Sequence, residues 1–311
     1  MPTPHERPEY EDAGMTASRF ARWRSLMSDV VNVSRAELFK LARRPAAWTL
    51  LAAAALLSQV FGYLIPYLSF AGDGSGPIEG ASKDAILART LPDQIIASTL
   101  GGFPVFAGAL ALVFGALVLG SEYGWGTVKT VLTQRPGRTT VLAGQAIALG
   151  VSVAVGVLVL FVLGAASSTA IALAQGESTA FPSVFDLLAG YGAGVAIMLM
   201  WAGLGGMLGV VLRGVALPIG LGVVWVLGVE NLVAGVASSV LTALRPLRDV
   251  LPGINAGSLA SAVMPSRPQG LESPPGVNSD VADGRALVTV ACYVVVSLAA
   301  ALWTYRRRDV V

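Results

Sequence analysis

Of the 311 residues, 54% are hydrophobic and 13% are charged, against roughly a quarter charged in an ordinary soluble domain, so much of this chain is solvated by lipid. Its 21 basic residues nearly balance 19 acids, and a net charge of +2 gives no support to a nucleic-acid partner. The single cysteine, Cys292, excludes an intrachain disulfide or cysteine metal centre, and the single histidine, His5, excludes histidine-based acid-base, triad or zinc chemistry within the spans.

Residues 1–15 carry Pro2, Pro4 and Pro8 among polar groups and are expected to form a disordered cytoplasmic tail. In residues 16–44, Phe20, Trp23, Met27, Val30, Leu38 and Leu41 recur at helical spacing, with Arg19, Arg22, Arg24, Arg35 and Lys40 between them. That pattern predicts an amphipathic helix lying in the inner headgroup region, with its arginines toward anionic lipid. The alternative is a helix packed on a protein surface. The first apolar run starts too late for a cleavable signal peptide, so the first span is expected to stay in the mature protein.

Crossing roughly 30 Å of hydrocarbon takes about 20 apolar residues. Charge-free stretches of that length occupy 45–72, 94–121, 139–176, 187–212 and 286–305, and a further stretch, 214–244, carries only Glu230. They predict six spans at about 46–68, 99–121, 141–172, 187–212, 215–240 and 286–305, a transmembrane domain over 45–305. The third stretch is nearly long enough for two crossings. It has no proline or charge to turn the chain, and reads as one long, tilted helix. The outer connection after the first span, with Gly72, Gly74, Gly76 and Pro77, reads as a flexible link. In the connection 244–285, the apolar part 247–264 holds Pro252 and Gly253 and predicts a short helical or re-entrant element; the remainder is rich in proline, glycine and serine.

A cytoplasmic N-terminus places fifteen of the 21 basic residues inside, as the positive-inside rule requires. Six spans then return the C-terminus to the same side. The basic tail 306–311, opening with Arg306, Arg307 and Arg308, agrees independently, and Trp303 and Tyr305 form an interfacial anchor beside it.

Catalytic groups are not predicted. Only Glu230 is acidic within a span, so paired intramembrane carboxylates are excluded, and no G-x-x-x-x-G-K-[ST] phosphate loop occurs. Glu230 follows Gly214 by about 24 Å of helix, toward the outer leaflet; it either lines a substrate path or sits near the interface. Gly190, Gly194, Gly205 and Gly209 form two small-xxx-small spacings, which favour packing within the chain over a seam between chains.

The segment after the second span, GSEYGWGTVKTVLTQRPGR (120–138), is the most informative. Glu122 stands at a helix C-terminus, where the macrodipole disfavours an anion by about 0.3–1 kcal/mol. It is expected to be compensated by Arg138 or by an arginine of the N-terminal helix. Gly124 and Gly126 permit a turn, residues 127–134 can form two helical turns with Val128, Val131 and Leu132 on one side, and Pro136 and Gly137 end them.

With ELFKLARRP leading into the first span, GSEYGWGTVKTVLTQRPGR after the second, six spans and the proline-containing apolar stretch after the fifth, the chain resembles the membrane subunits of ABC-2 type ABC transporters. The resemblance implies an all-α polytopic fold of six transmembrane helices, with an N-terminal amphipathic interfacial helix and a short cytoplasmic coupling helix. In that family the coupling helix seats in a cleft of a separate ABC ATPase subunit. By resemblance, Glu122, Tyr123, Gly124, Trp125, Gly126, Thr127, Arg135 and Arg138 would transmit nucleotide-driven motion. ATP and magnesium would belong to that ATPase, with no cofactor in this chain. The resemblance further implies an exporter in a bacterial plasma membrane, working as a homodimer or as a heterodimer with a second permease. A secondary transporter or channel would instead show repeated halves and midplane polar groups, and a non-transporting scaffold or regulatory subunit is the remaining alternative.

Overall fold

The computed structural model describes residues 27–72, 81–124, 137–233, 245–266 and 270–307. Among these there is no strand, and six helices are long and apolar enough to cross a membrane. In chain order the elements are α1 (residues 27–42), α2 (Pro45–Ala71), α3 (Lys83–Ala88), α4 (Pro92–Glu122), α5 (Arg138–Gln175), α6 (Val184–Val211), α7 (Ala216–Val233), α8 (Arg245–Arg248), α9 (Pro252–Val263) and α10 (Asp283–Arg307). The six spans are α2, α4, α5, α6, α7 and α10.

Local chemistry sets the helix ends. Pro45 opens α2 and Pro252 opens α9, each at a first-turn position where a missing N–H costs nothing. Ser183 caps α6 by accepting the Asp186 amide at 3.2 Å. Gly176, at φ 69°, closes α5 in the left-handed conformation that glycine adopts without strain. Between its ends α5 runs 38 residues without interruption, about 57 Å of continuous helix.

The core lies where α4 crosses α6. Their most apolar stretches are 56% and 61% buried, against 11% for α2 and 22% for α7 and α10. Glycine makes the crossing close: a methyl group on Gly115 would run into the Ala202 carbonyl, and one on Gly205 into the Leu112 carbonyl. Gly209 meets Gly120, Gly190 faces Ile96, and Gly194 faces Leu100 and Phe103. All four glycines of the two small-xxx-small spacings therefore pack on α4 within the chain. Trp201, fully buried on α6, fills the space over Gly108.

Three spans contain a π-helical turn, at Val60–Leu64 in α2, Phe103–Ala107 in α4 and Trp225–Val229 in α7. Each accommodates an extra residue and so rotates the remainder of its helix by about 100°. The turn in α7 directly precedes Glu230 and sets the face on which that carboxylate emerges.

Two sequence expectations need amendment. The first outer connection contains α3, whose Ala85, Ile86 and Leu87 are buried and whose start is capped by Ser82 on the Ala85 amide. Six residues are too few to show a periodicity. On α1, the expected lipid-facing stripe is divided. Leu41 is buried and Val30 and Leu38 are half-buried against the protein, together with Ser34 and Glu37, whereas Met27 stays exposed beside Val31 and Phe39. Gly144 of α5 allows this docking, because a side chain there would strike Val33. Phe20 and Trp23 lie outside the described residues.

Candidate functional site

At the end of the bundle that carries α1, called the inner end on the basic-flank expectation, α1 is joined to the last turn of α4 by charge. Glu122 is 4% exposed and Glu37 is 8% exposed, and both carboxylates lie 2.7 Å from Lys40 Nζ. One turn further on, the Arg44 guanidinium donates to Ser121 Oγ at 3.0 Å and to the Leu117 carbonyl at 3.4 Å. Burial draws the Arg44 pKa below its ordinary value, and Glu37 and Glu122 push it back up; an arginine stays charged throughout. Two acids and two bases thus form a compact, balanced cluster. It supplies what a carboxylate at a helix C-terminus lacks, a nearby cation.

The compensating side chain is a lysine of the N-terminal helix, with Arg44 behind it. The sequence pattern favours arginine and puts Lys40 on the polar face of α1. The signal that points to it is the Glu37–Lys40 spacing in ELFK, which brings acid and base together one turn apart. Tyr123 and Gly124 complete the helix that ends α4, and Arg138 begins α5. Trp125, Gly126, Thr127 and Arg135, with the rest of the expected coupling helix, lie outside the described residues.

At the outer end a third buried acid, Glu230, is 5% exposed. Its Oε1 accepts the Gly253 amide at the first turn of α9, where unpaired N–H groups and the helix dipole favour an anion. Gly253 permits the approach: a Cβ there would lie 2.8 Å from Glu230 Oε1. The rest of α9 is held by polar groups that the sequence alone does not single out. Asn255 Nδ2 donates to the Leu251 carbonyl at 2.8 Å, Ser258 Oγ to Asn278 Oδ1 at 2.7 Å, and the Val281 amide to Ser258 Oγ at 3.2 Å. Arg248 bridges Asp249 and Asp280 at 3.0 and 3.5 Å, and the Tyr293 hydroxyl donates to the Val250 carbonyl at 2.9 Å. Ser258 lies 20 residues from Asn278 and 23 from Val281, and Tyr293 lies 43 from Val250, so no local motif announces these pairs.

A family model described as ABC-2 family transporter protein matches residues 27–310, which include both clusters and all six spans. The chain belongs to this family of transporters. No curated protein matches the sequence. Membership makes this ABC-2 chain the membrane component of a transport system, and the six apolar helices make it a multi-pass membrane protein.

Proposed function

We propose that the chain is the permease subunit of an ATP-driven exporter, with the power stroke delivered by a separate ABC ATPase to the segment after α4. The observation that carries this reading is the Lys40 cluster. It ties α1 to α4 at Glu122, immediately before that segment, so a push on the segment reaches two elements at once. Glu122, Tyr123, Gly124, Trp125, Gly126, Thr127, Arg135 and Arg138 form the coupling region, and ATP and magnesium act on the partner ATPase. Two permeases, identical or different, enclose the path. The basic flanks favour cytoplasmic termini in a bacterial plasma membrane. Glu230 acts at the outer end, holding α9 against α7.

Co-purification tests the reading directly. The chain is expected to retain an ABC ATPase, and deletion of residues 123–138 is expected to release it. Normal retention by the deletion variant would overturn the coupling assignment, and transport driven by an ion gradient without ATP would replace the reading with that of a secondary transporter.

A further inference from the structure

The helix α9 and the segment 274–281 that follows it cover the outer part of α4, and the two sides of this cover are held by different forces. Asn278 ties the segment to α9: its Oδ1 accepts from Ser258 Oγ at 2.7 Å, and its Nδ2 donates to the Ile254 carbonyl at 3.3 Å. The Val281 amide donates to Ser258 Oγ at 3.2 Å, and Arg248 pairs with Asp280 at 3.5 Å. Gly257 lets the two backbones close, because a Cβ there would run into the Gly276 carbonyl. Together α9 and 274–281 are one body. Glu230 fastens it to α7 through the Gly253 amide, and the Tyr293 hydroxyl fastens it to α10 through the Val250 carbonyl at 2.9 Å.

Toward α4 the contacts are of another kind. Pro274 rests on Gly101, where a Cβ would lie 3.1 Å from its ring, and Gly276 rests on Val105 and Pro104. Among the described residues no hydrogen bond or ion pair joins α9 or 274–281 to α4. Parting along this line leaves no polar group unpaired, whereas parting from α7 or α10 strands a carboxylate or a hydroxyl at a cost. Nor is α4 free to follow. Gly115 and Gly120 lock its inner stretch onto α6, and on the other side of its π-helical turn Ile96 and Leu100 sit on Gly190 and Gly194. Beneath the junction lies a cavity of about 370 Å³, walled by Gly101, Gly102 and Phe103 of α4 and by Pro274 and Pro275 of the cover.

We propose that α9 and residues 274–281 form a lid that stays with α7 and α10 and parts from α4 along the line from Gly101 to Val105, opening this cavity at the outer end of the bundle. The parting plane follows from the contacts alone; its use as an exit rests on the exporter reading.

The test uses the full chain carrying Cys292→Ser in nanodiscs, with a sulfonated, membrane-impermeant maleimide as the probe and Gly102→Cys as its target. A Cβ on Gly102 meets nothing within 4 Å, so the thiol fits. Where reclosing outpaces modification, the rate reports the open fraction. Val105→Ala, which trims the contact with Gly276, is expected to speed modification about fivefold, and Tyr293→Phe, whose tie is the same in both states, to change it by less than about twofold. Modification as fast as that of a free thiol, a rate indifferent to Val105→Ala, or acceleration by Tyr293→Phe would overturn the proposal. Hydrogen exchange on the unaltered chain keeps the test decisive if the variants do not fold. The Val281 amide is expected to exchange as slowly as those of α9; much faster exchange would mean that 274–281 peels away alone, which also overturns the lid. Neither measurement needs an ATPase. Oxidising Gly101→Cys with Pro274→Cys, whose Cβ atoms would lie 3.2 Å apart, is expected to stop ATP-driven transport until a reductant is added. Unaffected transport would sink the exit reading and leave the lid standing, so each can fail without the other.

Discussion

The inner end of the bundle buries Glu122 at 4% exposure beside Glu37, and the outer end buries Glu230 at 5%, yet the two ends neutralise their carboxylates by different means. Glu122 receives a full charge from Lys40, a residue 82 positions away in sequence. Glu230 receives the amide of a helix start 23 positions away. A full charge acts over distance and in many geometries, whereas a helix terminus acts only within its first turn. The inner joint therefore tolerates movement of α1 against α4, and the outer joint holds only while α9 stays in place. On the exporter reading proposed above, a transporter pushed at one end and opened at the other has use for that asymmetry.

Removing Lys40 should break the comparison most severely. In Lys40→Met, Glu37 and Glu122 face one another in a buried site without their shared cation, a loss of about 3–5 kcal/mol for a fully buried pair and somewhat less here because Lys40 is about a third exposed. Thermal unfolding in detergent should show it, together with loss of ATP-driven transport on the reading proposed above. Adding Glu122→Gln should recover part of the stability, since one of the opposed carboxylates is gone; a strictly additive cycle would contradict the shared-cation geometry.

Next in size is Gly253→Ala. It forces a methyl group onto the Glu230 carboxylate, an overpacking cost of about 1–3 kcal/mol, and the outer loop should become protease-sensitive while the inner end does not. Asn278→Ala leaves Ser258 without its acceptor, at about 1–2 kcal/mol, and is read by the same proteolysis. Glu230→Gln should cost least, roughly 0.3–1 kcal/mol, because an amide oxygen still accepts the Gly253 N–H and only the charge at the helix start is lost. If Glu230→Gln abolished transport with stability intact, the outer carboxylate would belong to the path and not to the cap.

The six spans were legible because charge-free length is a direct consequence of bilayer thickness, and α5 was legible as one helix because nothing between Thr139 and Gln175 can turn the chain. A short helix within 247–264 was likewise expected, although Pro252, which stands inside that stretch, opens α9. The pairing of Glu122 was expected from the dipole argument, and Arg44 of the N-terminal segment does stand beside it, but Lys40 was not foreseen, since Lys40 and Glu122 meet only through the docking of α1 at Gly144. Ser258 and Asn278 escaped notice for the same reason, and the π-helical turns because a local widening leaves no mark on apolar composition.

The unbroken length of α5 has a mechanical consequence. About 57 Å of helix without proline or π turn is a stiff rod, and it starts at Arg138, the last residue of the proposed coupling region, and ends before Gly176 on the opposite face. Such a rod is a lever. Tilting one end swings the other without any intervening rearrangement, so on the proposed reading a stroke delivered beside Arg138 is carried along α5 to the opposite end of the bundle.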